Sequence, residues 1–370
     1  MRKKIILSAN TSWYLYNFRL STIRRLINDG HQVTVIAPRD EYSHKLINLD
    51  LKFIELNFKS NNKNPLSSVF LLLRFLIIFR IHDPDIIFNF TIKNNILASL
   101  AAFFSKAEVV NNISGLGTTF INNNFITIII KLLYKFSQKR ANIVFCQNND
   151  DKTFIKKLNL VSPNKLKLLP GSGVDLDHFI PQEKKYSYGK TFLYLGRLIY
   201  EKGLIELTEA FDHLIKKHND AKLIICGSYD SSDPRCIEKE RIEYWRKSRN
   251  IFLINHTDDP KKIFAKADFV ILPSYREGMP RSLLEASAMG IPTLASNVPG
   301  CREAVIDGVT GLLFNPKDSL DTLKIMEKII SLDNHTKYEM SLKAREHMIN
   351  NFDEKLVVNA YLNIVNSGEF

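Results

Sequence analysis

The feature that most constrains this chain is an alternation of strand and helix signals that runs through it twice. Residues 4–8 are apolar and strand-like, residues 19–28 carry a helical apolar period that stops at Gly30, and residues 32–37 form a second apolar strand. Further strand signals at 52–57, 86–90, 109–112 and 143–146 extend this β-α-β opening. Such alternation predicts a parallel sheet covered by helices on both faces. The polar tract 181–189 (PQEKKYSYG), bounded by proline and glycine, then reads as a linker. Beyond it, strands at 191–196, 221–226, 251–254, 269–272 and 292–295 alternate with helices beginning near Gly203, Pro260, Arg281 and Gly300. The expectation is an α/β chain of two doubly wound, Rossmann-like domains. Ligands of such sheets sit at the carboxyl ends of the strands, so two of them facing each other are expected to enclose a central cleft.

A length of 370 residues suits two domains, and 45% hydrophobic with 24% charged residues is the balance of an ordinary folded protein. Cys146, Cys226, Cys236 and Cys301 are far apart and form no C-x-x-C pair, so they read as reduced, buried thiols. The most apolar run, 69–79, is interrupted by Arg74 and falls short of the roughly 20 residues that span a bilayer. Residues 1–8 are too short an apolar stretch for a signal peptide. A cytoplasmic protein is expected.

Charge is unevenly placed. Residues 1–180 hold 24 Lys and Arg against 12 Asp and Glu, while residues 181–370 hold 27 of each, so the formal +12 sits in the first half. A basic half suits anionic lipid or polyphosphate. In residues 125–140 (FITIIIKLLYKFSQKR), Lys131, Lys135 and Lys139 recur at steps of four among aliphatic side chains. That pattern fits a helix lying on the anionic inner face of a membrane, and it equally fits a core helix with a solvated lysine stripe.

The densest chemistry lies in residues 273–285, PSYREGMPRSLLE, between an apolar strand and a helix. Gly278 permits close backbone approach, and Pro280 suits a first helical turn, where its missing N–H costs nothing. The amides of that turn, with the helix's partial positive charge, favour a phosphate. Glu277 in the loop and Glu285 about a turn into the helix can accept hydrogen bonds from hydroxyls. Standing alone, these glutamates would read as a loop charge and a helix charge. Their setting changes that reading, because Gly196-Arg197-Leu198-Ile199-Tyr200-Glu201-Lys202-Gly203 closes the first strand of the same domain and supplies two cations suited to a diphosphate.

These segments resemble glycosyltransferase family 4, whose members carry G-R-x(4)-K-G, then P-S-x(2)-E-G-x-P-x(4)-E-A, then G-x(2)-E-x(3)-[DH]-G-x-x-G. The third is present from Gly300 through Glu303, Asp307 and Gly308 to Gly311, so all three occur in order. The resemblance implies the GT-B fold and a retaining, metal-independent transfer of a sugar, with no cofactor beyond the nucleotide-sugar donor. It places Arg197 and Lys202 on the donor diphosphate, Glu285 on the ribose and Glu277 on the donor sugar. Gly196, Gly227, Ser228 and the residues Gly278, Met279, Pro280, Arg281, Ser282 and Leu283 would complete the donor site. It also implies an acceptor domain at 1–180, a donor domain at 181–351 and a last helix within 352–370 that packs back on the first domain.

The first domain departs from better-known members. Its loop Asn10-Thr11-Ser12-Trp13, continued by Asn17, Phe18 and Arg19, resembles a bacterial branch that reads N-T-S-W-x(3)-N-F-R. That branch acts on undecaprenyl-diphosphate-linked sugars in O-antigen, capsule and protein-glycan assembly. The implied acceptor is a polyprenyl-diphosphate-linked saccharide, and the implied donor a UDP-linked hexose or N-acetylhexosamine. Asn17 and Arg19, expected near a helix start, are read either as acceptor-phosphate ligands or as caps, and Gly115 either as an acceptor contact or as a turn. The D-x-D matches at Asp83 and Asp175 read as structural, so no metal is expected. Rival readings are a nucleotide-sugar epimerase, a basic lipid or nucleic-acid binder, and a dehydrogenase. No ordered nucleic-acid motif is present and no G-x-G-x-x-G follows the first strand.

Overall fold

The computed structural model describes residues 1–56, 65–115, 125–181 and 188–368. Two compact units divide the chain: Met1–Ser172 with Glu354–Phe370, and Gly173–Asp353. The division falls at the glycine turn where Gly171 and Gly173 adopt φ of +62° and +69°, ahead of the position 180 expected from the polar tract. The reason is packing: Val174, Leu176 and Phe179 are buried in the core of the second unit. Most of the expected linker, residues 182–187, lies outside the described residues.

In the first unit the elements are β1 (Lys4–Ser8), α1 (Ser12–Asn28), β2 (Gln32–Ala37), α2 (Ser43–Ile47), β3 (Lys52–Glu55), α3 (Pro65–His82), β4 (Ile86–Phe90), α4 (Ile92–Ala101), β5 (Glu108–Ile113), α5 (Phe125–Ser137), β6 (Ile143–Cys146), α6 (Asn149–Lys157) and β7 (Leu166–Leu168). The strands form one parallel sheet in the order β3-β2-β1-β4-β5-β6-β7. Their side chains are buried on both faces, which is why β6 reads as an unbroken apolar run and β1 and β4 are mostly apolar, the buried Ser8 hydroxyl donating to the Asn89 amide oxygen at 2.7 Å. One face is covered by α3 to α6, through Phe75, Leu97, Tyr134 and Ile155. The other is covered by α1 and α2, through Leu15, Ile23 and Leu46.

The second unit runs β8 (Thr191–Leu195), α7 (Leu204–Lys217), β9 (Lys222–Cys226), α8 (Lys239–Lys247), β10 (Ile251–Ile254), α9 (Pro260–Phe264), β11 (Phe269–Leu272), α10 (Arg281–Ala288), β12 (Thr293–Ser296), α11 (Cys301–Ala304), β13 (Gly311–Phe314), α12 (Ser319–Ser331) and α13 (Asn334–Asn351). Its sheet is parallel in the order β10-β9-β8-β11-β12-β13. The chain turns outward in opposite directions from β8 and β11, which are paired through Phe269 with Phe192 and Val270 with Leu193. In a doubly wound sheet that seam is where the crevice for a ligand opens.

The last helix, α14 (Glu354–Ser367), belongs to the first unit. Tyr361 is fully buried, lies edge-on to Phe88 at 5.1 Å, and donates its hydroxyl hydrogen bond to the Asn112 amide oxygen. Ser21 of α1 donates to the Glu354 carboxylate at 2.9 Å. Each fully buried large apolar side chain of this kind contributes roughly 1.5–3 kcal/mol.

Two expectations about elements need correction, and one strand had no expectation at all. Helix α1 starts at Ser12, where Thr11 accepts from the Tyr14 amide at 3.1 Å, so the cap lies well ahead of residue 19. Strand β7, only three residues long, gave no sequence signal. Pro280 stands at the cap position before α10 and not inside its first turn.

Candidate active site

The carboxyl ends of β8, β9, β11 and β12 are drawn together by glycines. A Cβ on Gly227, after β9, would lie 1.7 Å from the Gly196 carbonyl oxygen, after β8. One on Gly203 would lie 2.1 Å from the Pro273 oxygen, after β11, and one on Gly300 would lie 2.5 Å from the Gly278 oxygen. Gly203 and Gly300 also adopt φ of +68° and +80°, which side chains disfavour. Backbone bonds fasten the same loops: the Leu198 amide donates to Ser228 at 3.0 Å, and the Tyr275 amide to Glu201 at 2.9 Å.

This packing brings Lys202 of the first loop onto Glu277 of the third, 75 positions away in sequence. Their side chains form a hydrogen-bonded ion pair, 19% and 13% exposed, beside the β8–β11 seam. Arg197 lies on the same rim, exposed, with no ion-pair partner among the described residues. The buried Tyr194 supports that rim: its hydroxyl donates to the Arg197 carbonyl at 2.7 Å. Burial pushes that hydroxyl well above its ordinary pKa, the Glu277 charge adds to this and the Arg197 charge opposes it. Cys301 is likewise pushed up, first by burial and then by Glu277, with Lys202 opposing. Tyr194 and Cys301 thus share the electrostatic surroundings of Glu277, and neither was identified from sequence. A hydroxyl-bearing aromatic two residues before Gly196 was the available signal for Tyr194.

Glu285 does not join the Lys202–Glu277 pair. It is buried in α10 and accepts from Arg281 Nε at 2.7 Å, one turn earlier. Burial raises its pKa, while the Arg281 charge and hydrogen bond act in the opposite direction. The i, i+4 spacing of Arg281 and Glu285 could have revealed this pair in advance. At the start of α10 no acidic residue stands in the first turn and Pro280 makes no side-chain cap, so the helix end retains its attraction for an anion. The Leu283 amide is not part of that opening, because it donates to the Pro280 carbonyl at 3.1 Å and its side chain is fully buried. Met279, Arg281 and Ser282 are partly exposed there, Gly278 is buried, and Ser228 is exposed after β9.

The third motif is spent on structure. Glu303 accepts from the Gly300 amide at 2.8 Å, capping α11, and Asp307 accepts from the Leu313 amide at 2.8 Å. The two D-x-D matches are spent likewise: Asp85 accepts from the Lys4 amide at 2.7 Å, and Asp175 from the Asp177 and His178 amides at 2.9 Å.

In the first unit, Asn17 and Arg19 lie inside α1 and neither caps it. Asn17 donates to the Trp13 carbonyl at 2.9 Å. Arg19 is 1% exposed, with its guanidinium carbon 4.9 Å from the Phe90 ring centroid and 5.6 Å from that of Tyr361. Enclosed in this aromatic cage, it offers no surface to an acceptor phosphate, which corrects the first reading of that residue. Gly115 adopts φ of +110°, so its turn requires glycine. The residues that follow it, 116–124, lie outside the described residues.

The glycosyl transferases group 1 model matches residues 176–354, and the glycosyl transferase 4-like model matches residues 4–148. The N,N'-diacetylbacillosaminyl-diphospho-undecaprenol alpha-1,3-N-acetylgalactosaminyltransferase of Campylobacter jejuni is 29% identical over 372 residues, covering 95% of each chain. The Escherichia coli UDP-Gal:alpha-D-GlcNAc-diphosphoundecaprenol alpha-1,3-galactosyltransferase is 25% identical over 73% of this chain and 72% of its own. Among solved structures, Anabaena HepE in complex with UDP and glucose matches with a TM-score of 0.80 at 16% identity, over 99% of this chain and 100% of that one, a likeness of fold. With one model on each unit and two parallel sheets of the GT-B type, the chain belongs to the group 1 glycosyltransferases with a 4-like first domain.

Proposed function

We propose that the protein transfers a hexose or N-acetylhexosamine from a UDP-sugar to a saccharide carried on a polyprenyl diphosphate, with retention at the anomeric carbon and without a metal. The observation that carries this reading is the Lys202–Glu277 ion pair at the switch point of the second sheet, beside an uncapped helix start. A diphosphate arriving there would draw the Lys202 ammonium from Glu277, and Arg197 would add a second cation. Glu277, released, would accept from donor-sugar hydroxyls, and Glu285 from the ribose. As the bond from the anomeric carbon to the leaving phosphate oxygen breaks, these cations and the α10 dipole stabilise the charge left on the diphosphate. The acceptor hydroxyl forms the new bond on the same face and gives its proton to the departing phosphate oxygen.

The relatives support the substrate classes. The two transferases named above act on diphospho-undecaprenol-linked sugars and form alpha linkages, and one of them uses UDP-Gal. The Anabaena structure holds UDP. UDP-hexoses carry an α-anomeric phosphate, so an alpha product keeps that configuration. In this reading the first unit binds the acceptor and the second the donor, and the protein works on the cytoplasmic face of the membrane that holds the polyprenyl carrier.

Mass spectrometry of undecaprenyl-diphosphate-linked products after incubation with a panel of UDP-sugars, with and without EDTA, tests this. The expected result is one added sugar in an α linkage, unaffected by EDTA. A nucleotide-sugar that is epimerised while the lipid stays unchanged would replace transfer with epimerisation.

A further inference from the structure

Helix α5 packs on the sheet through Tyr134 and Ile130 but leaves most of its described apolar side chains outside. Its buried positions include Thr127, Ser137 and, just past its end, Gln138, whereas Leu132 is 62% exposed and Leu133 and Phe136 about half exposed. Helix α3 buries Leu71, Phe75, Ile78 and Phe79 and then repeats the apolar pattern on its outer side, where Phe70, Leu73, Ile77 and Ile81 are all at least half exposed. The 3-10 turn Ala102–Phe104 bridges the two: it packs on α3, Phe103 stacks on Phe136 at 5.5 Å, and Phe104 is 86% exposed. Among the described residues no element covers this surface. Exposing aliphatic side chains while burying hydroxyls is unfavourable in water, so the surface is shaped for an apolar phase.

We infer that α3, the Phe103–Phe104 turn and α5 form one docking surface that enters the headgroup and acyl boundary of an anionic membrane. Charge selects the occupant. Neither helix contains an acidic residue, while Arg74 and Arg80 lie on α3, and Lys131 and Lys135 lie on α5 with Lys139 just beyond it. The lysines recur at steps of four along one edge of the exposed apolar face, so their stems can lie on that face with the ammonium groups among anionic headgroups. A second copy of this chain would instead set like charge against like charge. No helix among the described residues is long and apolar enough to cross a membrane, so this contact is one of lying on the surface. The inference deepens the acceptor reading above by giving the polyprenyl carrier's membrane a defined contact on the first unit.

The test is sedimentation of the full chain with phosphatidylcholine vesicles, with and without phosphatidylglycerol. The wild type is expected to sediment with phosphatidylglycerol vesicles, less so at high salt. The variant Leu73→Ser, Ile77→Ser, Leu132→Ser, Phe136→Ser is expected to lose that binding at least tenfold with an unchanged circular dichroism spectrum and melting temperature. A second variant, Lys135→Glu, Lys139→Glu, is expected to lose the preference for phosphatidylglycerol. Equal sedimentation of wild type and variants overturns the inference. So does failure of the wild type to sediment, or a wild-type dimer in vesicle-free buffer that the serine substitutions dissociate. Transfer to a water-soluble, short-chain acceptor separates this inference from the transferase reading. The serine variant should retain such transfer, whereas sedimentation of a protein that transfers nothing would reject the catalytic reading and leave the docking surface standing.

Discussion

At the scale of residues, the arrangement turns on pairs whose members were each visible in the sequence and whose pairing was not. Lys202 and Glu277 were legible as a cation and a carboxylate in two motifs, but only the approach of the two loops makes them partners. Because they act as one unit, Lys202→Ala and Glu277→Ala should each lower kcat by about 10²–10³, and the double substitution should cost little more than either single one. Steady-state transfer rates of the three variants check this, and a multiplicative loss would contradict it. Glu285 supports a separate test. Its folded pKa is raised by burial, so between the ordinary carboxylate pKa and the raised one the folded state binds more proton than the unfolded state does. The stability linked to that proton is full below the ordinary carboxylate pKa and is lost as pH rises through the raised one. Glu285→Gln should therefore melt at or above the wild-type temperature near about pH 8, with the difference shrinking toward about pH 5. Removing its partner acts the other way: Arg281→Ala should destabilise by about 2 kcal/mol, because the buried carboxylate loses a charge-assisted hydrogen bond.

At the scale of elements, glycines decide how closely the loops approach. Gly203→Ala brings a Cβ to 2.1 Å from the Pro273 oxygen at a φ of +68°, so a loss of about 1–3 kcal/mol from backbone strain alone is expected, with the collision adding to it. Urea unfolding measures it. A variant as stable as the wild type would show that the β8–α7 and β11–α10 loops can separate freely. Most strands of both units were legible, because sheet strands buried on two faces are mostly apolar, even where β4 and β5 carry buried asparagines. The start of α1 was not. Its first turns carry Trp13, Tyr14 and Asn17 among polar neighbours, and the cap at Thr11 shows itself only through its bond to the Tyr14 amide. Helix α5 was misleading in a different way: its lysine stripe was visible, but the sequence left open whether the aliphatic residues point inward or outward.

For the whole molecule, the proposal that the second unit alone binds the donor predicts stabilisation by the donor's nucleotide alone. UDP at about a hundredfold excess over its Kd should add about 2.7 kcal/mol, seen as a rise in melting temperature by calorimetry. Lys202→Ala should remove that rise, and a larger response to another nucleoside diphosphate would replace uridine as the base. Chain topology extends this scale, since α14 leaves the second unit behind and returns to the first, where Tyr361 packs on Phe88 and Phe145.

The sequence by itself determined the two parallel sheets, the ordered motifs and the residue types that a diphosphate and sugar hydroxyls call for. These are local properties: apolar period, glycine spacing, and side-chain chemistry near strand ends. Only the tertiary structure decided that Lys202 meets Glu277, that Glu285 is held by Arg281, that Arg19 is enclosed by aromatic rings, and that α3 and α5 turn apolar faces outward. Each of those depends on how loops and helices from distant parts of the chain pack, and packing is set by long-range contacts that no short stretch of sequence contains.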